Sequence, residues 1–237
     1  MDARELSQFY KSAMGQRARR TIAAPLRQAW PKVKGLRLLG YGFTLPYLSL
    51  FMAEAERVIA VSPAEMGVIG WPKDKRLSTL AEEDCLPFPD AFFDRVLVVH
   101  GLEEAQGLRP LLRQLWRVLA PDGKLLVVAP NRASLWAQVE RSPFAKGRPF
   151  SRLELESLLK SALFEPEDWR RALYAPPLKS RALVGSGGGW ERFGGRFLSG
   201  LSGVHIVQAR KSLYAPATPA PAAQPALQTR LKPAATE

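Results

Sequence analysis

From Leu36 onward, short apolar runs alternate with amphipathic stretches. Arg37-Leu38-Leu39, Arg57-Val58-Ile59-Ala60-Val61, Asp94–His100 (DRVLVVH) and Lys124–Ala129 (KLLVVA) are brief and continuous, without polar alternation. Strands covered on both faces require such runs. Between the last two, Leu108, Leu111, Leu112, Leu115 and Leu119 recur on one helical face, with Arg109, Arg113 and Arg117 on the other. Pro121-Asp122-Gly123 predicts the turn back to the sheet. A later helix starts at Ser151, where Glu154 completes a capping box, and carries Leu155, Leu158, Leu159 and Ala162. Val204-His205-Ile206-Val207 reads as a last strand. Strands and helices in this alternation predict an α/β fold with a doubly wound, mostly parallel sheet and flanking helices.

The two ends differ from this middle. Glu5–Trp30 reads as one or two helices, with Phe9, Ala13, Ile22, Leu26 and Trp30 as an apolar side and Pro25 as the expected kink or break. Three roles are open to it: packing on the domain's flank, a lid over a ligand cleft, or a membrane-surface helix. After Tyr214 the chain turns to Pro and Ala with few apolar anchors, too little to offset ordering entropy, which predicts a disordered tail. The expected organisation is a helical extension over 1–34, one α/β domain over 35–213, and the tail over 214–237.

One stretch carries candidate chemistry. In RLLGYGFT, Arg37–Thr44, a short strand runs into Gly40 and Gly42. Glycine at a strand exit permits φ > 0 and lets a ligand approach without meeting a Cβ. Leu45–Arg57 can be helical, so the stretch reads strand, glycine turn, helix, the layout that receives a nucleotide-type cofactor.

Composition narrows the classes. At 237 residues and 46% apolar the chain can bury one sizeable core. No apolar run approaches the ~20 residues of a spanning helix, and Met1–Tyr10 lacks a signal-peptide core, so a cytoplasmic protein is expected. Cys85 is the single cysteine, and His100 and His205 lie far apart, which gives neither an internal disulfide nor metal-ligand spacing. The net charge of +12 favours anionic partners. Its arginines are dispersed without an aromatic-basic stripe, so a solvated surface is favoured over nucleic-acid binding.

The order of landmarks resembles the class I S-adenosylmethionine-dependent methyltransferases, in particular the type 11 branch. Leu86–Glu104, LPFPDAFFDRVLVVHGLEE, matches that branch's LPFPD, the Asp after three intervening residues, its strand and the following His-x-Leu-Glu. Leu112–Pro130, LRQLWRVLAPDGKLLVVAP, matches its helix, turn and next strand, and Arg148–Ser151 with Phe164-Glu165-Pro166 also fits. The resemblance covers roughly 36–211. It implies a Rossmann-like seven-stranded sheet and methyl transfer from S-adenosylmethionine to an acceptor that the sequence does not name. It also places Gly40, Tyr41 and Gly42 under the methionine part of the cofactor. Ser62, followed by Pro63, stands where the family has its ribose acid; Glu82, Glu83 and Asp84 recognise the adenine edge; His100 faces the sulfonium and the acceptor.

The chain departs from that pattern at three points: Leu38 replaces the acid before the first glycine, Thr44 the third glycine, and Ser62 the ribose acid. Losing charge-assisted bonds to a ribose diol costs ~1.5–3 kcal/mol. Glu54 and Glu65 are other acids that could compensate. A non-catalytic binding or scaffold protein on the same fold is the alternative reading, and a basic nucleic-acid-associated protein a third. His100 reads equally as a weak catalytic candidate and as a strand-end residue satisfied by backbone. Glu103 and Glu104 read as helix-opening acids, Cys85 as a packed small residue, and Gly185–Gly189 as a connector. Arg148, Arg152, Arg170, Arg171, Arg181 and Arg192, mixed with Phe150, Trp169, Tyr174 and Trp190, are where an acceptor pocket is expected.

Overall fold

The continuous apolar runs become the middle of a seven-stranded sheet. In a computed structural model, which describes residues 1–177 and 199–213, the strands are β1 (Arg37–Gly42), β2 (Arg57–Pro63), β3 (Ser78–Ala81), β4 (Phe93–Val99), β5 (Leu119–Pro130), β6 (Phe164–Ala172) and β7 (Val204–Lys211). Their order is β3-β2-β1-β4-β5-β7-β6. All neighbours are parallel except β7, which runs antiparallel to both β5 and β6. The sheet is therefore doubly wound and mostly parallel, as the sequence pattern predicts. The order reverses at β1 and β4, whose carboxyl ends form the crevice where such sheets bind ligands.

The helices are α1 (Ala3–Lys11), α2 (Ala13–Ala29), α3 (Leu45–Leu48), α4 (Leu108–Val118) and α5 (Arg152–Ser161). On one face of the sheet, Leu111, Leu112 and Leu115 of α4 and Leu155 and Leu159 of α5 bury against Val96, Val98 and Val127. The capping box at Ser151 forms as its sequence spells. On the other face, Ile22 and Leu26 of α2 and Leu6 and Tyr10 of α1 join Leu38, Leu97 and Leu126 in a second core layer.

Three local expectations change. The N-terminal segment breaks at Ser12 and not at Pro25, which lies inside α2. Ser12 is extended; its hydroxyl donates to the Phe9 carbonyl and accepts from the Gly15 amide, so it ends one helix and caps the next. Pro25 costs α2 one backbone bond, but Ile22, Leu26 and Trp30 on either side are anchored in the core. Ala13 proves exposed. Leu45–Arg57 is helical only over Leu45–Leu48, with a succession of tight turns after it, including Phe51 N–H to Leu48 and Glu54 N–H to Phe51. A four-residue helix offers no substantial dipole to a ligand. The tail after Tyr214, the stretch Gly185–Gly189, and Arg181, Trp190 and Arg192 lie outside the described residues.

Candidate functional site

The nine residues singled out in the sequence separate into two groups. Pro63, Glu82, Glu83 and Asp84 line one cavity of about 240 Å³ at the carboxyl ends of β2 and β3, together with Ala64, Glu65, Gln106, Gly107 and Pro110. Gly40, Tyr41, Gly42, Ser62 and His100 do not line it.

The cavity's rim is built by acids with different tasks. The Glu83 carboxylate accepts from the Gln106 amide at 3.0 Å and the Gly107 amide at 3.2 Å, and so holds the entry to α4. That is the place expected for Glu103 and Glu104, but both precede the helix and do not cap it. Gln106 in turn donates its side-chain amide to Glu65. Glu65 follows β2 in a single 3-10 turn, Ala64–Met66, three residues beyond Ser62. It is the first acid beyond the end of β2; Glu54 pairs with Arg27. The signal for Glu65 was only an acid near the strand exit, and Gln106 carried none. Cys85, beside these acids, is exposed and not packed.

The glycine turn serves the chain itself. A Cβ on Gly40 would run into Thr44 Oγ1 and the Leu48 side chain, and one on Gly42 into the Val99 carbonyl oxygen. Gly42 has φ 85°, a backbone state that glycine adopts without strain. So both glycines admit close protein neighbours, where the sequence suggested a ligand. Tyr41, between them, is buried with its hydroxyl unbonded among the described residues. Burial, then the charges of Glu83 and Glu82, push its phenol well above the ordinary range.

Beyond the turn, α1 closes the crevice. The Tyr10 ring stacks on Phe43 at 5.8 Å and 13°. Its hydroxyl lies 2.9 Å from His100 Nε2 and 3.1 Å from the Tyr47 hydroxyl. His100 Nδ1 lies 3.0 Å from Glu103 Oε1, and the second carboxylate oxygen, Oε2, is buried without a partner among the described residues. A carboxylate only accepts, so Nδ1 carries the proton and Nε2 accepts from Tyr10. Burial, Tyr47 and Glu103 raise the Tyr10 phenol well above its ordinary pKa, which keeps it protonated. Phe144 completes the box, 5.0 Å from the His100 ring. His100 itself has φ 51°, a left-handed state that costs a non-glycine residue energy. Its ring is thus satisfied by side chains on both sides, and not by backbone.

Among the described residues, three of the arginines expected around an acceptor are engaged. Arg148 lies over Phe150, Arg152 over Trp169, and Arg170 reaches Asp168 and Gln28.

Comparison with known proteins agrees with this architecture. A family described as a methyltransferase domain matches residues 39–127. Among curated proteins, the ubiquinone/menaquinone biosynthesis C-methyltransferase UbiE of Pectobacterium carotovorum is 44% identical over 48 residues, 20% of this chain and 19% of that protein. The chain thus matches about a fifth of that relative's length. Among solved structures, a possible histamine N-methyltransferase from Thermotoga maritima superposes with a TM-score of 0.60 at 18% identity, covering 88% of this chain and 95% of that one. The 1,6-didemethyltoxoflavin-N1-methyltransferase of Burkholderia thailandensis, solved with S-adenosylhomocysteine, gives 0.55 at 18% identity over 85% and 79%. Sheet order, the family match over 39–127 and these neighbours agree with the resemblance read from the sequence, and the neighbours share the class I methyltransferase fold.

Proposed function

We propose that the protein is an S-adenosylmethionine-dependent methyltransferase whose cofactor enters nucleoside end first. The observation that carries this reading is the acid-rimmed cavity at the carboxyl ends of β2 and β3 in a class I sheet. Its hydrogen-bond acceptors suit ribose hydroxyls and an exocyclic amine. Glu65 is assigned to the ribose and Glu82 and Asp84 to the adenine edge, while Glu83 holds the Gln106–Gly107 rim in place. The cofactor supplies an electrophilic methyl group when bound. The chain's own part is to position it, exclude water and hold a proton acceptor, His100 Nε2, near the acceptor.

The nucleoside end fits this cavity. The other end meets α1, because Tyr10 covers Phe43 at the exit of the glycine turn. Full occupancy therefore needs α1 to shift at the Ser12 break. This observation also favours a second reading, a binding protein that keeps the nucleoside cavity and no turnover. Calorimetric titration with S-adenosylhomocysteine tests the first step. Micromolar binding and a raised melting temperature are expected, since a ligand of the folded state stabilises it by mass action. No shift at millimolar ligand overturns the proposal. Binding without methyl transfer to any acceptor selects the second reading.

A further inference from the structure

Tyr10 and its surroundings have the composition of a ligand seat. The ring stacks on Phe43 and meets Phe9, Tyr47 and His100 edge-on, with Phe144 against the His100 ring. The hydroxyl at its tip meets a histidine oriented by a buried carboxylate. A core packing job would be done by phenylalanine, without a polar chain from Glu103 through His100 and Tyr10 to Tyr47. Burying such a chain, with Glu103 Oε2 unbonded among the described residues, carries a desolvation cost that packing does not repay. The arrangement lies at the carboxyl end of β4, at the crevice of the sheet, and not in the far core.

The helix that brings Tyr10 there is a short unit, set off from α2 by Ser12 and held by Ala3, Leu6 and Tyr10 in the core and by the Met1 amino group on Glu104. It has nine residues, ends at the extended Ser12, and is flanked on its outer side by a groove of about 330 Å³ between Leu6, Phe9, Pro143 and Lys146. It meets that far wall through the edge-on contact of Phe9 with Phe144 and the exposed Glu5–Lys146 ion pair, and such exposed pairs contribute little. Beyond the break, α2 buries Ala18, Ile22 and Leu26 in the same core layer.

We propose that Tyr10 is an internal stand-in for the acceptor, and that the box it fills receives a single-ring phenol when α1 withdraws. The phenol's ring takes the place of the Tyr10 ring, stacked on Phe43 and beside Tyr47, and its O–H points at His100 Nε2. The O–H proton can pass to Nε2, giving a phenolate beside an imidazolium whose charge Glu103 offsets; nothing else is consumed. This deepens the methyltransferase reading by naming its substrate class, and it rests on that reading only for the fate of the phenol, not for its binding.

The experiment uses p-cresol, the Tyr side chain as a free molecule, and toluene, which lacks the hydroxyl. In Tyr10→Ala, calorimetry should show p-cresol binding at least about tenfold tighter than toluene, the value of one buried hydrogen bond. The preference should vanish in the Tyr10→Ala, His100→Ala double variant. With the wild-type chain, p-cresol should speed tryptic cleavage at Lys11 severalfold by displacing α1, while toluene should not. Equal binding of the two probes overturns the proposal, leaving an apolar hole, and so does a cleavage rate indifferent to p-cresol. If Tyr10→Ala does not fold, the wild-type arm decides alone. A parallel titration with S-adenosylhomocysteine separates the two ideas: p-cresol binding without it removes the cofactor, and it without p-cresol removes the phenol.

Discussion

The Tyr10 hydroxyl lies 2.9 Å from His100 Nε2, joining the first helix to the end of β4 across 90 residues of chain. Both residues are buried, so neither can exchange this bond for water. Tyr10→Phe keeps the ring and its stacking on Phe43, and removes only the hydroxyl. It strands His100 Nε2 and the Tyr47 hydroxyl, at a cost of about 1–3 kcal/mol. A melting temperature lowered by several degrees is expected. An unchanged melting temperature would show that α1 is already undocked in solution.

Gly42 offers a second test, of the claim that the glycine turn serves protein contacts. Gly42→Ala combines an unfavourable φ with a Cβ driven into the Val99 carbonyl, which is already bonded to the Phe43 amide at 2.8 Å and is not free to retreat. Strain and overpacking together should cost roughly 2–5 kcal/mol. Gly67→Ala is the control, with φ 76° and open space around the added carbon, so strain alone should cost about 1–2 kcal/mol. Urea midpoints compare them; equal losses would mean that the contact at Val99 relaxes freely.

These positions show what a sequence makes legible. Covered strands such as Val96–Val99 are visible because burial on both faces forces an unbroken apolar run. β6 was hidden, since its Glu165–Arg171 stretch is polar and half-exposed, and it is recruited by pairing with β7. β3 is four residues long with two of them exposed. In the site, Glu82–Asp84 stand together in the chain and could be read as a unit. Tyr10, His100 and Glu103 meet only through the fold, and no periodicity announces that a helix side chain will reach a strand end. The Ser12 break was missed because proline, the louder signal, was outweighed by core anchoring around it.

Glu65 and Ser62 divide the question of which residue replaces the ribose acid. Glu65→Gln removes a carboxylate from the cavity lining but keeps an amide of similar size. It should weaken S-adenosylhomocysteine roughly tenfold to a hundredfold, the loss of a charge-assisted bond. Ser62→Ala, outside the lining, should change affinity less than about twofold. The reverse order in calorimetry would move the ribose back to the tip of β2.

His205 on β7 predicts the pH dependence of stability. It is buried opposite Arg171 of β6 and edge-on to Trp169, with both ring nitrogens unbonded among the described residues. Burial, then the charges of Arg171 and Arg152, lower its pKa from 6.5 to about 4. The folded state therefore binds this proton less readily than the unfolded chain. Between those two values the unfolded state holds more protons, so stability rises with pH. The contribution is complete above pH 6.5, shrinks as pH falls, and is gone below about 4. Its size is up to about 3 kcal/mol. His205→Leu fills similar space without a proton to gain. Its unfolding free energy, measured by urea from pH 4 to 7, should lack the wild-type slope in that window, while carboxylate losses at lower pH remain common to both. Parallel slopes for the two proteins would show that His205 charges without penalty, by reaching water or a carboxylate.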